Sequence, residues 1–387
     1  MSTASQRRAY GGPALFSYGF RPFFLSGAAW AALAVPLWIW SLLGGPAVAG
    51  HRDWHVHEML FGFLPAIVAG FLTTAVPNWT GRMPVIGRGL AGLWLLWLAG
   101  RVAMLLQVFL GPVATIVDAA FPVVFAAVIW REVMAGKNWR NLPVCLMTSL
   151  LAAANIAFHL DAALNLQGLG ARLALATAAA MLALIGGRIT PSFTTNWLRQ
   201  RGETQLPATF AGIDKAAVVM TPAAGLAWAL APTHPAAGIA LMAAGLLNLV
   251  RVARWRGLRT LAEPLIAILH VSYAWLGLGL GLLGLSVATQ LAPAAAGVHA
   301  VSAGAIGVTC LAVMSRATRG HTGRALTADL ATVGVFVAIN VAAVLRVVAP
   351  FTQAAQPMLL ILAALFWSLA YGGFVAAYGP MLWGPRR

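Results

Sequence analysis

The sequence predicts an all-α membrane protein of about twelve transmembrane helices in a single bundle. Three observations predict it. Of 387 residues, 60% are hydrophobic and 9% charged, where a soluble domain carries roughly a quarter charged residues. Apolar stretches of the about 20 residues needed to cross a bilayer recur along the whole chain. Lys and Arg fall on alternate loops, as the positive-inside bias requires.

Taken in order, the first segment, 22–44, follows "MSTASQRRAY". No short apolar stretch with a small-residue cleavage site follows that arginine pair, so it reads as a cytoplasmic tail before an uncleaved helix. The second, 54–76, begins in "DWHVHEMLFGF" (53–63), with Asp53 as a candidate N-cap, and runs into "AVPNWTGR" (75–82). Segments 89–110 and 112–133 carry Arg101 and Asp118 and are divided by "FLGP" (109–112). Segment 141–163 holds Asn155, His159 and Asp161, and 169–190 leads into "RITPSFTTNWLR" (188–199). "LAPTHP" (230–235) divides 209–231 from 235–254. Segment 262–289 contains His270 and the run "GLGLGLLG" (277–284), which permits close helix packing. Segment 293–316 contains His299 and leads into "RATRGHTGR" (316–324); 325–348 and 355–378 complete the set. The links leave no room for a soluble domain.

The net charge of +16 would suggest nucleic acid in a soluble protein. Here the positions of the charges exclude that partner. Of 25 Lys and Arg, Arg101 lies mid-helix, only Arg52, Arg172 and Arg346 fall on one side, and the rest gather on the other. Both termini are therefore expected in the cytoplasm, with anionic lipid head groups of the bilayer as the partner of the basic surface. The ends of helices two, six and ten look alike, and His57 and His299 each stand 23 residues before the Thr of a "TGR". Three repeats of four helices follow from that match.

Ionisable groups in hydrocarbon are costly and usually face a cavity, a partner or a cofactor. Neutral imidazole binds iron or copper without burying a charge of its own. His55, His57, His159, His270 and His299 all lie in predicted helices, against few acidic partners, and so point to metal or haem ligation. His321 falls in a cytoplasmic loop; His51 and His234 fall in outer loops and are read as exposed. Residues two apart on an α-helix point about 200° apart, so His55 and His57 serve different neighbours. Glu58, three residues after His55, is a candidate acceptor that orients an imidazole. Arg101 needs an anion, with a haem propionate or Asp118 as candidates. Trp54, Trp79, Trp139 and Trp197 read as interfacial anchors. Cys145 and Cys310 read as small buried apolar residues. There is no phosphate-cradling loop, no c-type haem motif and no obvious chain of buried carboxylates, so proton-driven transport is hard to build.

"FSYGFRPFFL" (16–25), "WHVHEMLFGF" (54–63), "GFLTTAVPNWTGR" (70–82), "LHVSYAWLGLGLGLLGLS" (269–286) and "HAVSAGAIGVTCLAVMSRATRGHTGR" (299–324) resemble the NnrS family, over essentially the whole chain. The resemblance implies a bacterial inner-membrane protein of twelve helices associated with haem b and with copper. It implies a link to nitric oxide metabolism, nitrosative stress and denitrification. The family's histidine motifs fall on His55 and His57 with Glu58, and on His159, His270, His299 and His321, without settling which histidine holds which metal. A more distant similarity is to the catalytic subunit of haem–copper oxidases and nitric oxide reductases, where histidines on helices two and ten clasp a haem. His57 and His299 match those positions. Helices six and seven lack the histidines that hold copper there, so copper here needs other ligands. The expected function is a haem-binding membrane protein that binds or reduces nitric oxide; if it is an enzyme, it is a nitric-oxide-reductase-like oxidoreductase. The alternatives are a transporter or carrier of haem, metal or a small anion, and a structural protein whose histidines only hydrogen-bond.

Overall fold

A computed structural model describes residues 10–45 and 52–386. Arg7, Arg8, His51 and Arg387 lie outside the described residues. Among the described residues all regular structure is helical, and twelve helices are long and apolar enough to cross a membrane. They are α1 (Phe20–Leu42), α2 (Arg52–Thr80), α3 (Gly87–Leu105), α4 (Pro112–Ala135), α5 (Trp139–His159) and α6 (Leu169–Gln200). Then come α7 (Gly212–Leu230), α8 (Pro235–Ala253), α9 (Pro264–Thr289), α10 (Ala294–His321), α11 (Leu330–Phe351) and α12 (Gln356–Trp383).

Polar ends account for most departures from the predicted bounds. The amphiphilic tails "NWT", "SFTTNWLRQ" and "SRATRGH" stay helical, so α2, α6 and α10 outrun their apolar cores. His321 is therefore the last residue of a helix and not a loop residue. Helix α2 starts at Arg52, so Asp53 lies inside its first turn and is not the cap. Helix α5 stops at His159, and Asp161 opens a separate short helix, Asp161–Leu164. Gly81 closes α2 with φ 69°, the left-handed geometry that glycine adopts without steric cost.

Among the described residues three helices carry a π-helical segment: Glu58–Phe63 in α2, Leu182–Gly186 in α6 and Ala300–Gly307 in α10. These are every fourth helix. His57 immediately precedes the first segment and His299 the third. The local backbone thus repeats with the period read from the helix ends, and π segments collect at functional sites.

The chain forms two compact units. One comprises Met1–Ala174 with Ala317–Ala325 and Phe374–Arg387; the other comprises Leu175–Arg316 with Leu326–Gly373. In the first, α1 packs on α2, α3 on α4, and α4 on both α2 and α5. Arg21, at the start of α1, donates to the carbonyls of Leu382 (2.9 Å) and Gly384 (2.6 Å) at the end of α12. That satisfies carbonyls a helix end leaves without partners.

In the second unit, α8 and α9 meet through glycines. A Cβ on Gly245 would lie 2.6 Å from the Gly277 carbonyl oxygen, and one on Gly238 would lie 2.5 Å from the Ala288 amide nitrogen. Two backbones this close exclude any side chain. Arg251, fully buried, donates from Nε to Asp214 (2.9 Å) and from Nη1 to Tyr273 (2.6 Å). Its Nη1 also meets the Ala183 carbonyl (2.7 Å), inside the π segment of α6.

Candidate functional site

The polar core of the first unit takes one or more side chains from each of its first five helices. His57 and Glu58 come from α2, Arg101 from α3, Asp118 from α4, Asn155 and His159 from α5, and Trp30 from α1. All but Trp30 and His159 are essentially fully buried. Arg101 donates from Nη1 to Glu58 Oε2 and from Nη2 to Asp118 Oδ1. Glu58 Oε2 also accepts the Trp30 indole N–H (2.7 Å).

His57 lies between the two carboxylates, with Nδ1 2.9 Å from Glu58 Oε1 and Nε2 2.9 Å from Asp118 Oδ2. That same Asp118 oxygen meets His159 Nε2 at 2.9 Å and accepts from Asn155 Nδ2 at 2.8 Å. The rings of Phe61, Phe158 and His159 close around His57 at 5.0–5.5 Å.

Local sequence explains how the pieces fit. Gly62 faces the ion pair: a Cβ there would lie 2.5 Å from both Arg101 Nη1 and Glu58 Oε2. Only glycine lets the guanidinium and carboxylate meet over that turn. A buried ion pair repays its desolvation only when its remaining hydrogen bonds are satisfied. Trp30, His57 and Asn155 supply them here. Two carboxylates share one guanidinium, and the His57 ring bridges them from the other side. Nδ1 or Nε2 of His57, Nε2 of His159 and a carboxylate oxygen of Asp118 lie within 4.8 Å of one another, so this trio can hold a metal ion. The same atoms can also pass a proton from half-buried His159 inward.

The other expected residues lie elsewhere. His55 stacks on Trp38, with ring centroids 4.0 Å apart and planes 13° apart, while His57 faces the carboxylates. Glu58 therefore orients His57 and not His55. The Arg101 charge and the Trp30 N–H draw its carboxylate to the other side. Arg101 finds its anions in Glu58 and Asp118. Trp54 is buried at 3% exposure against Ala34 and Trp38, so it is a core residue and not an interfacial anchor; Trp139, at 55%, is exposed. His321 stacks with Tyr18 at 5.4 Å. His234 is exposed and accepts from the Ala236 amide as the N-cap of α8. Both cysteines are buried and free.

In the second unit, His299 Nδ1 lies 2.7 Å from the Ala295 carbonyl oxygen. His270 Nε2 lies 2.8 Å from Thr194 Oγ1, whose own hydrogen goes to the Thr190 carbonyl. His270 therefore donates from Nε2, and among the described residues its buried Nδ1 has no hydrogen-bond partner. Gly257 packs over that edge, where a Cβ would come within 2.8 Å of Nδ1.

Two contributions were not foreseen: Trp30, and the joining of Glu58 with Asp118. Both acidic residues were visible as charges in apolar segments. Nothing in the one-dimensional pattern marks Trp30 among 15 tryptophans.

No curated protein matches the chain at a significant level. A family model described as NnrS protein matches residues 14–386, which include every residue of the cluster. The chain is a membrane protein of twelve apolar helices, and it belongs to the NnrS family.

Proposed function

We propose that this protein binds haem in the bacterial inner membrane and there binds or reduces nitric oxide, with both termini in the cytoplasm. Family membership and the one-sided basic loops support the reading. The observation that carries it is the setting of His299. With Nδ1–H given to the Ala295 carbonyl (2.7 Å), the lone pair stands on Nε2, the tautomer and orientation of a metal-ligating imidazole. His299 also stands at the start of the π segment of α10.

The fit to haem differs between the two histidines that the resemblance would pair. His57 does not fit as an axial haem ligand, because a carboxylate stands 2.9 Å from each ring nitrogen and leaves no room for a macrocycle, although a small ion shared with Asp118 is not blocked in this way. His299 fits. Arg346 lies on α11, which packs against the first part of α10. Among the described residues no hydrogen bond or ion pair of Arg346 is formed, so it offers the cation for a propionate that Arg101 does not. A haem bound there would supply an iron with affinity for nitric oxide. The chain's own part is to hold the His299 ring in register.

The test is an optical spectrum of the purified protein, from a haem-supplied host, before and after adding nitric oxide. A Soret band that shifts with nitric oxide is expected, retained in His57→Ala and lost in His299→Ala. A folded protein without a Soret band overturns the haem reading. A band kept in His299→Ala overturns the ligand assignment.

A carrier of metal or small anions is the second reading, favoured by the buried charges of α2, α3 and α4. A carrier releases its metal on dialysis and exchanges it across a vesicle membrane; a resident centre does neither.

A further inference from the structure

We propose that His57, His159 and Asp118 bind one divalent transition-metal ion, a non-haem centre separate from any haem at His299. Two imidazoles and one carboxylate form the donor set of non-haem iron(II) sites and also suit other first-row ions. Their candidate ligand atoms already lie within 4.8 Å of one another. The proposal stands or falls independently of haem binding.

Three further features make this a built site and not a chance meeting of polar side chains. First, Glu58 Oε1 takes His57 Nδ1–H (2.9 Å), which presents Nε2 toward Asp118 and His159. Carboxylates orient metal-bound histidines in this way, and their loss costs about 10–100-fold in affinity. Glu58 is itself fixed by Trp30 and Arg101. Second, Asp118 Oδ2 is crowded by three nitrogens at 2.8–2.9 Å: His57 Nε2, His159 Nε2 and Asn155 Nδ2. A carboxylate oxygen has two in-plane lone pairs, so the third contact is surplus to hydrogen bonding. A cation among these donors turns the crowding into coordination. Third, Asn155 is fully buried and its Oδ1 has no hydrogen-bond partner among the described residues. An orphaned buried acceptor is destabilising, and a metal-bound water would satisfy it.

His159 ends α5, and its side chain is 8% exposed while those of His57 and Asp118 are 1% exposed, so His159 is the outermost of the three.

Cobalt(II) is the probe, added to chelator-treated, detergent-purified full-length protein. We expect one cobalt per chain by elemental mass spectrometry, with visible ligand-field bands from nitrogen and oxygen ligands. His159→Ala and Asp118→Asn should weaken binding by more than tenfold. Glu58→Gln should keep the stoichiometry but weaken binding about 10–100-fold. His299→Ala should leave cobalt binding unchanged, which separates this outcome from the fate of the haem reading. Among the described residues His159 hydrogen-bonds only Asp118, so His159→Gln serves as a second variant if His159→Ala fails to fold. Wild-type affinity in a folded His159 variant overturns the proposal. So does a monodisperse wild-type protein that takes up no cobalt.

Discussion

Arg101 donates from two guanidinium nitrogens to carboxylates on two different helices, Glu58 of α2 and Asp118 of α4. Removing it leaves two buried carboxylates facing one another. Breaking a buried pair from one side costs about 3–5 kcal/mol. Arg101→Met is therefore expected to lower the free energy of unfolding in detergent by that order and the midpoint with it, with part of the loss recovered in Arg101→Met/Glu58→Gln. An unchanged midpoint would show that water reaches the cluster. Arg101 and Asp118 were legible in the sequence as charges in apolar segments, and their pairing was one of two candidate outcomes. The partner of Glu58 was not legible. Helical spacing pointed to His55, whereas the pull of Arg101 and Trp30, both distant in sequence, turned the carboxylate toward His57.

At the scale of the element, two devices set the helix geometry. The π segments of α2, α6 and α10 each add a residue to one turn and re-aim what precedes them; His57 and His299 hold equivalent places by that measure. The glycines of α8 and α9 set how closely those helices pass. Gly245→Ala should destabilise by about 1–3 kcal/mol, the usual penalty for overpacking, because its Cβ would press on the Gly277 carbonyl oxygen. Gly281→Ala is the control. Nothing lies within 4 Å of its Cβ, so it should be neutral or gain up to about 1 kcal/mol of helix propensity. Equal melting temperatures for the two variants would contradict close packing as the role of the run. The run itself was readable as a packing motif. Which of its glycines face α8 was not, because that depends on helix rotation.

At the scale of the whole molecule, the basic loops make a topological prediction. Thr204, between α6 and α7, and Thr233, between α7 and α8, are both exposed. The native cysteines are buried, so single introduced cysteines report alone. A membrane-impermeant maleimide should label Thr233→Cys in intact spheroplasts and Thr204→Cys only after permeabilisation. The reverse pattern would invert the proposed orientation.

By itself the sequence determined the solvent, the number of spanning helices, the fourfold spacing of related helix ends and the family. Each of these is written in composition or in fixed spacing along the chain, so none requires knowing what touches what. The tertiary structure decided which buried charges meet. It joined Glu58, Arg101 and Asp118 from three helices, set His159 beside His57, and turned His55 away onto Trp38. Such pairings follow from helix rotation and packing, which short-range periodicity does not encode, and in a low-dielectric interior they decide which imidazole has a lone pair to give.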